Sequence, residues 1–121
     1  MEKKREADVA IRPAGPEDFD RILELNEESV HFLSPLTREK LEHLDNQAEL
    51  HKVAVAEGEV VAFCLAFREG ADYDSVNYRW FADHYSSFLY VDRVVVDLKK
   101  QGLGLGSLLY EEVFRYAKET G

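Results

Sequence analysis

The chain has 121 residues, 45% hydrophobic and 32% charged, a balance that suits one globular domain with a buried core and argues against disorder. With 24 acids against 15 bases the formal charge is −9, which disfavours nucleic acid and anionic lipid as partners and favours cationic ones. A single cysteine, Cys64, rules out a disulfide framework within the chain, and no apolar run approaches the length of a membrane span, so a reducing, cytoplasmic setting is expected.

Residues 1–7 read as a charged tail ahead of one domain at 8–121. Val9, Ile11 and the pair Arg12-Pro13 predict a short edge strand, ended by proline and Gly15. Pro16-Glu17-Asp18 opens a helix whose stripe is Phe19, Leu23, Asn26, Val30 and Leu33. Asn26 is the polar member of that stripe, and its amide either bonds neighbouring backbone or faces a ligand pocket. The stretch from His31 to Leu36 breaks the helix, and Thr37 caps a second one, which runs to about Ala48 with Leu41 and Leu44 as its apolar side.

Two strands follow, Lys52 to Ala56 and Val60 to Phe67, joined at Glu57-Gly58-Glu59. The second is apolar throughout and wants helices on both faces, with Cys64 as a core filler. Residues 69–86 then interleave Tyr73, Tyr78, Trp80, Phe81 and Tyr85 with Asp72, Asp74 and Asp83. That mixture is either a receptor for an amine or a satellite apolar cluster, and residues 77–84 form a short helix within it. The histidines at 31, 43, 51 and 84 have no paired ligand spacing, so no metal site is expected.

The most informative stretch is the last. A β-prone run from Phe88 to Val96 leads through Gly102, Gly104 and Gly106 into a helical run with Leu105, Leu109, Val113 and Ala117 at spacings of four. Strand, glycine-rich turn and helix together make a phosphate-binding device, because bare backbone approaches an anion closely and the helix start offers unpaired N–H groups. The Walker loop is excluded, since Ser107 and Leu108 follow Gly106 where lysine and Ser/Thr are required. The dinucleotide fingerprint fails too, because these glycines step by two. What fits is Gln101-x-x-Gly104-x-Gly106 after a basic turn, Lys99-Lys100.

That pattern resembles the acetyl-coenzyme A signature of the GNAT superfamily of N-acetyltransferases, Arg/Gln-x-x-Gly-x-Gly/Ala. The resemblance implies an α/β fold with a mixed, mostly antiparallel sheet flanked by helices, in the order β-α-α-β-β-β-α. It implies transfer of an acetyl group from acetyl-coenzyme A, without a metal, to an amine of a small molecule or peptide by direct attack in a ternary complex. Gln101, Gly102, Leu103, Gly104, Leu105, Gly106 and Ser107 would cradle the pyrophosphate, and main-chain groups of Val94, Val95 and Val96 would pair with the pantetheine arm. The connection between the first two helices would overhang the acceptor, which makes Phe32 a candidate lining residue beside Asn26, Tyr78, Trp80 and Tyr90.

Strand alternation places Phe88, Tyr90, Asp92, Val94 and Val96 on one face, where desolvation makes a carboxylate a stronger base. Asp92 is therefore the candidate general base, and its alternative role is an ion pair with Arg93 across a bulge or with Arg79. No general acid is identified. The family pattern continues beyond the last helix with further strands. The expectation is thus a chain carrying the N-terminal and central part of the domain, either a truncated form or one that dimerises through an exposed strand edge. The alternative function is a non-catalytic acyl-coenzyme A-binding module or a fragment that needs a partner chain.

Overall fold

The computed structural model describes residues 9–29, 35–102 and 104–120; Phe32 and Leu103, with Val30 and Leu33 of the predicted stripe, lie outside them. The elements are β1 (Val9–Pro13), α1 (Phe19–Glu28), α2 (Arg38–Gln47), β2 (Leu50–Ala56), β3 (Glu59–Arg68), α3 (Val76–His84), β4 (Leu89–Val96) and α4 (Leu105–Thr120). Single 3-10 turns at Pro16–Asp18 and Leu98–Lys100 lead into α1 and out of β4. The strands form one sheet in the order β1-β2-β3-β4, antiparallel at every described pairing. The α/β arrangement is as expected, and α3, between β3 and β4, is the short helix anticipated at residues 77–84.

Residue size along β3 decides which helix covers which face. Ala62, Cys64 and Ala66 are small and lie under α4, where Leu105, Leu109 and Val113 approach the sheet closely. Phe63, Leu65 and Phe67 point the other way and fill the space beneath α1, α2 and α3 with Ile22, Leu25, Leu41, Leu44 and Tyr78. Every residue from Val60 to Phe67 is buried, so this strand is the spine of both cores. Thr37 caps α2 as anticipated, its hydroxyl accepting from Lys40 N at 3.1 Å. The α1 stripe is rotated from the predicted one. Ile22 and Leu25 are fully buried beside Phe19 and Asn26, while Leu23 is only half-buried, because contacts with β3 and α2 centre the buried face between the i+3 and i+4 rows.

Cys64 sits at the middle of β3 with no exposure, and burial pushes its thiol up to about 11. A thiol so shifted is almost entirely protonated near neutrality and is a poor nucleophile. Native protein at pH 8 should therefore resist alkylation by iodoacetamide, while denatured protein takes up one equivalent, as mass spectrometry would read directly.

The predicted single face of β4 is corrected by a bulge. Leu65 opposes Arg93 but Ala66 opposes Val91, so Asp92 is an extra residue in the strand. Phe88 and Tyr90 consequently pack beside Tyr78 on the α3 side, whereas Val94 and Val96 pack with the α4 core. One inserted residue reverses a period of two, which is why strict alternation fails across position 92.

Candidate functional site

Asp97 fixes the exit from β4. Its backbone N–H donates to Val61 O at 2.8 Å, its Oδ1 accepts from Lys99 N at 2.9 Å, and its Oδ2 accepts from Arg21 Nη2 at 2.7 Å. The Lys99 amide, with Arg21 beside it, holds this buried carboxyl below the usual aspartate range. Beyond the turn, Gly102 and Gly104 have φ of 90° and 80°, left-handed values that exclude most side chains. A Cβ built at either would meet nothing within 4 Å, so the backbone there is open to a ligand. α4 begins at Leu105 with Leu108 N bonding Gly104 O at 3.1 Å, which leaves the amides of the first turn to face outward at the positive end of the helix.

The adjoining edge of β4 is also open among the described residues. Antiparallel ladders alternate bonded and non-bonded pairs. Because Asp97 bonds Val61, the Val95–Phe63 pair faces inward, and the main-chain groups of Val94 and Val96 point away from β3. A groove of about 360 Å³ runs along this edge into the glycine loop. Val94, Val95, Val96, Gln101, Gly102, Gly104, Leu105, Gly106 and Ser107 all line it, so every described residue predicted for the cofactor converges there. Two further lining residues were not predicted, Ser29 and Lys100. Lys100 had a local signal in the basic turn, whereas Ser29 arrives from the end of α1 and has none. An extended backbone edge, bare glycine amides, a helix N-terminus and one ammonium together suit a long anionic ligand with a strand-like arm.

Gly106 differs from its neighbours in the loop. It lies within α4, its φ is not positive, and a Cβ there would touch Val96 at an ordinary 3.9 Å. Gly106→Ala should raise stability by about 0.5–1 kcal/mol through helix propensity. Acetyl-coenzyme A affinity should stay within about threefold, less than the tenfold that 1.4 kcal/mol would give. Thermal melting and calorimetry check the two halves.

Asp92 and Arg93, brought side by side by the bulge, face α1 and the loop before α3. Arg93 Nε donates to Asp92 Oδ2 at 2.5 Å, and Arg93 Nη1 donates to Asn26 Oδ1 at 2.9 Å. The Tyr73 hydroxyl donates to Asp92 Oδ1, and its pKa is raised by burial first and by that carboxylate second. Both side chains of the ion pair are nearly closed to solvent, at 6% for Asp92 and 4% for Arg93. The pairing with Arg93 is the one anticipated across a bulge, while Arg79 pairs instead with Asp74.

Asn26 is buried with its oxygen taken up by Arg93. Tyr78 is buried as well, its hydroxyl donating to Arg68 O and accepting from Ala71 N at 3.0 Å, and it lines a second hollow of about 650 Å³ with Tyr73 and Arg79. Trp80 is exposed on α3, stacked on His84 at 4.0 Å between centroids, and Tyr90 reaches that aromatic face through Phe81 at 5.7 Å. The loop carboxylates are engaged, Asp72 with His43 and Asp74 with Arg79, and Tyr73 stacks on Phe67 of β3 and meets Tyr78 edge-on. A satellite apolar cluster takes in Tyr73 and Tyr78 of this segment, while Trp80, Phe81 and Tyr85 are exposed.

No curated protein matches the sequence. Solved structures match the fold. Ard1 from Thermoplasma volcanium superposes with a TM-score of 0.71 at 17% identity, over 93% of this chain and 65% of its own. A GNAT family acetyltransferase from Brucella melitensis in complex with acetyl-CoA gives 0.64 at 20% identity, over 93% and 70%. Naa50 from Arabidopsis thaliana in complex with the bisubstrate analogue CoA-Ac-MVNAL gives 0.66 at 16% identity, over 93% and 66%. The chain thus spans about two thirds of each of these structures. The pattern of the acetyltransferase (GNAT) family itself matches residues 17–121, from the opening of the first helix through the glycine loop and all of α4. With the loop, the open strand edge and the sheet order in agreement, the chain belongs to the GNAT family of acetyltransferases.

Proposed function

We propose that this protein binds acetyl-coenzyme A along the β4 edge and glycine loop and transfers the acetyl group to an amine by direct attack. One observation carries the reading. The outward main-chain groups of Val94 and Val96 and the bare backbone of Gly102 and Gly104 line a single continuous groove. The loop amides, the start of α4 and Lys100 bind the pyrophosphate. Val94 and Val96 hold the arm as an added strand, and an amide of this edge polarises the thioester carbonyl. The acceptor approaches from the other end of β4, past Tyr90 and the exposed aromatic face of α3. Asp92 accepts the proton its nitrogen releases, as the C–N bond forms and the C–S bond breaks. Acceptors are small amines or peptide amines, favoured by the net charge of −9.

A second reading is an acyl-coenzyme A-binding module without turnover. The observation favouring it is that both Asp92 oxygens already accept hydrogen bonds, from Tyr73 and Arg93. A thiol-release assay with acetyl-coenzyme A over a panel of amines separates the two. Amine-dependent release supports transfer, whereas binding without release on any amine supports the module.

A further inference from the structure

Acetyl transfer leaves an electron pair on sulfur, and a hydrogen-bond donor placed there lowers the barrier. The sequence nominates no such group, and the groove itself offers few. Among the described residues, the side chains lining it that can donate are Ser29, Lys100, Gln101 and Ser107. Three of these belong to the loop and the start of α4, the phosphate end. Of these four, Ser29 comes from α1 and not from the loop.

The run of α1 fixes which end of the groove Ser29 occupies. Early in the helix, Arg21 reaches Asp97, just past the C-terminal end of β4, at 2.7 Å and Val60 O, at the start of the neighbouring β3, at 3.0 Å. Later in the helix, Asn26 meets Arg93 at 2.9 Å, back toward the start of the strand. α1 therefore runs opposite to β4, away from the phosphate loop and toward the ion pair. Ser29 lies three residues beyond Asn26 on the same face, at the end of the groove where Val94 opens and the acyl group must sit. Its backbone N–H is spent on Asn26 O and Glu27 O, so the hydroxyl is the donor it can present.

We propose, resting on the acetyl-transfer reading, that Ser29 is a catalytic residue whose hydroxyl donates a hydrogen bond to the thioester sulfur and holds it as a thiolate when the C–S bond breaks. The C–N bond forms to the amine, the C–S electron pair goes to sulfur, and the amine proton goes to Asp92. Coenzyme A leaves as the thiolate, and no proton passes from Ser29.

The test needs no acceptor. Wild type, Ser29→Ala and Ser29→Thr are loaded with coenzyme A, and ionisation of the bound thiol is followed by its ultraviolet absorbance across pH. Loss of one hydrogen bond to a charged group should raise the ionisation midpoint by about one pH unit in Ser29→Ala. Ser29→Thr should behave as wild type. With an accepted amine, kcat of Ser29→Ala should fall about tenfold while the KM for acetyl-coenzyme A stays within about threefold. Equal midpoints in wild type and Ser29→Ala would overturn the role. So would a loss of coenzyme A binding in Ser29→Ala that threonine does not restore, since that marks a packing residue. Failure of wild type to bind coenzyme A would remove the acetyl-transfer reading itself, and this role with it.

Discussion

Gly104→Val should weaken acetyl-coenzyme A binding by about 100-fold or more, equivalent to roughly 2.7 kcal/mol. Two effects act together. The backbone at Gly104 has φ 80°, a conformation that costs a β-branched residue about 1–3 kcal/mol, so the loop would shift to relieve it. The new side chain would also occupy space that is empty within 4 Å and faces the groove, which is the approach of the pyrophosphate. Gly104→Ala separates the two, keeping most of the strain with little of the bulk. Because Gly104 is exposed and a Cβ there meets nothing within 4 Å, melting temperature should fall by only a few degrees in either variant. Affinity within about threefold of wild type in Gly104→Val would mean that phosphate does not sit against this backbone.

Asp92→Asn should lower kcat by about 10²–10⁴, the range of a lost general base, with acetyl-coenzyme A affinity little changed. An amide keeps one oxygen to accept from Arg93 and turns its NH2 toward the Tyr73 oxygen, which then accepts where it had donated, so the shape of the bulge is kept with one hydrogen bond reversed. What it removes is the charge opposite a guanidinium that is almost fully buried. If Asp92 served only that pair, the variant would lose several degrees of melting temperature while each folded molecule turned over normally. Kinetics corrected for the folded fraction distinguish the two outcomes.

The parts of this molecule legible in its sequence are those specified locally. The glycine spacing, the β-prone run before it and the i+4 pattern after it lie within about thirty residues, and each element's type follows from its own composition. Thr37 as a cap and the apolar run of β3 are legible for the same reason. Contacts made across the chain are different. Arg93 meets Asn26 from 67 positions away and Tyr73 meets Asp92 from 19, and nothing in either segment announces the other. Ser29 enters the groove only because α1 crosses β4 at that height. The bulge at Asp92 is decided by pairing with β3, and valine-rich composition on either side gives no clue to which residue is left over. The backbone edge of β4 was legible in place but not in orientation, which came from one hydrogen bond, Asp97 N to Val61 O.

The central claim is that the groove along β4 and the glycine loop is an acetyl-coenzyme A site. Calorimetric titration of the 121-residue chain with acetyl-coenzyme A, coenzyme A, ATP and NAD tests it most directly. The prediction is saturable binding of acetyl-coenzyme A and coenzyme A at one site per chain, with ATP and NAD weaker by about tenfold or more, a difference of roughly 1.4 kcal/mol. No heat with acetyl-coenzyme A, or equal affinity for ATP or NAD, would contradict it.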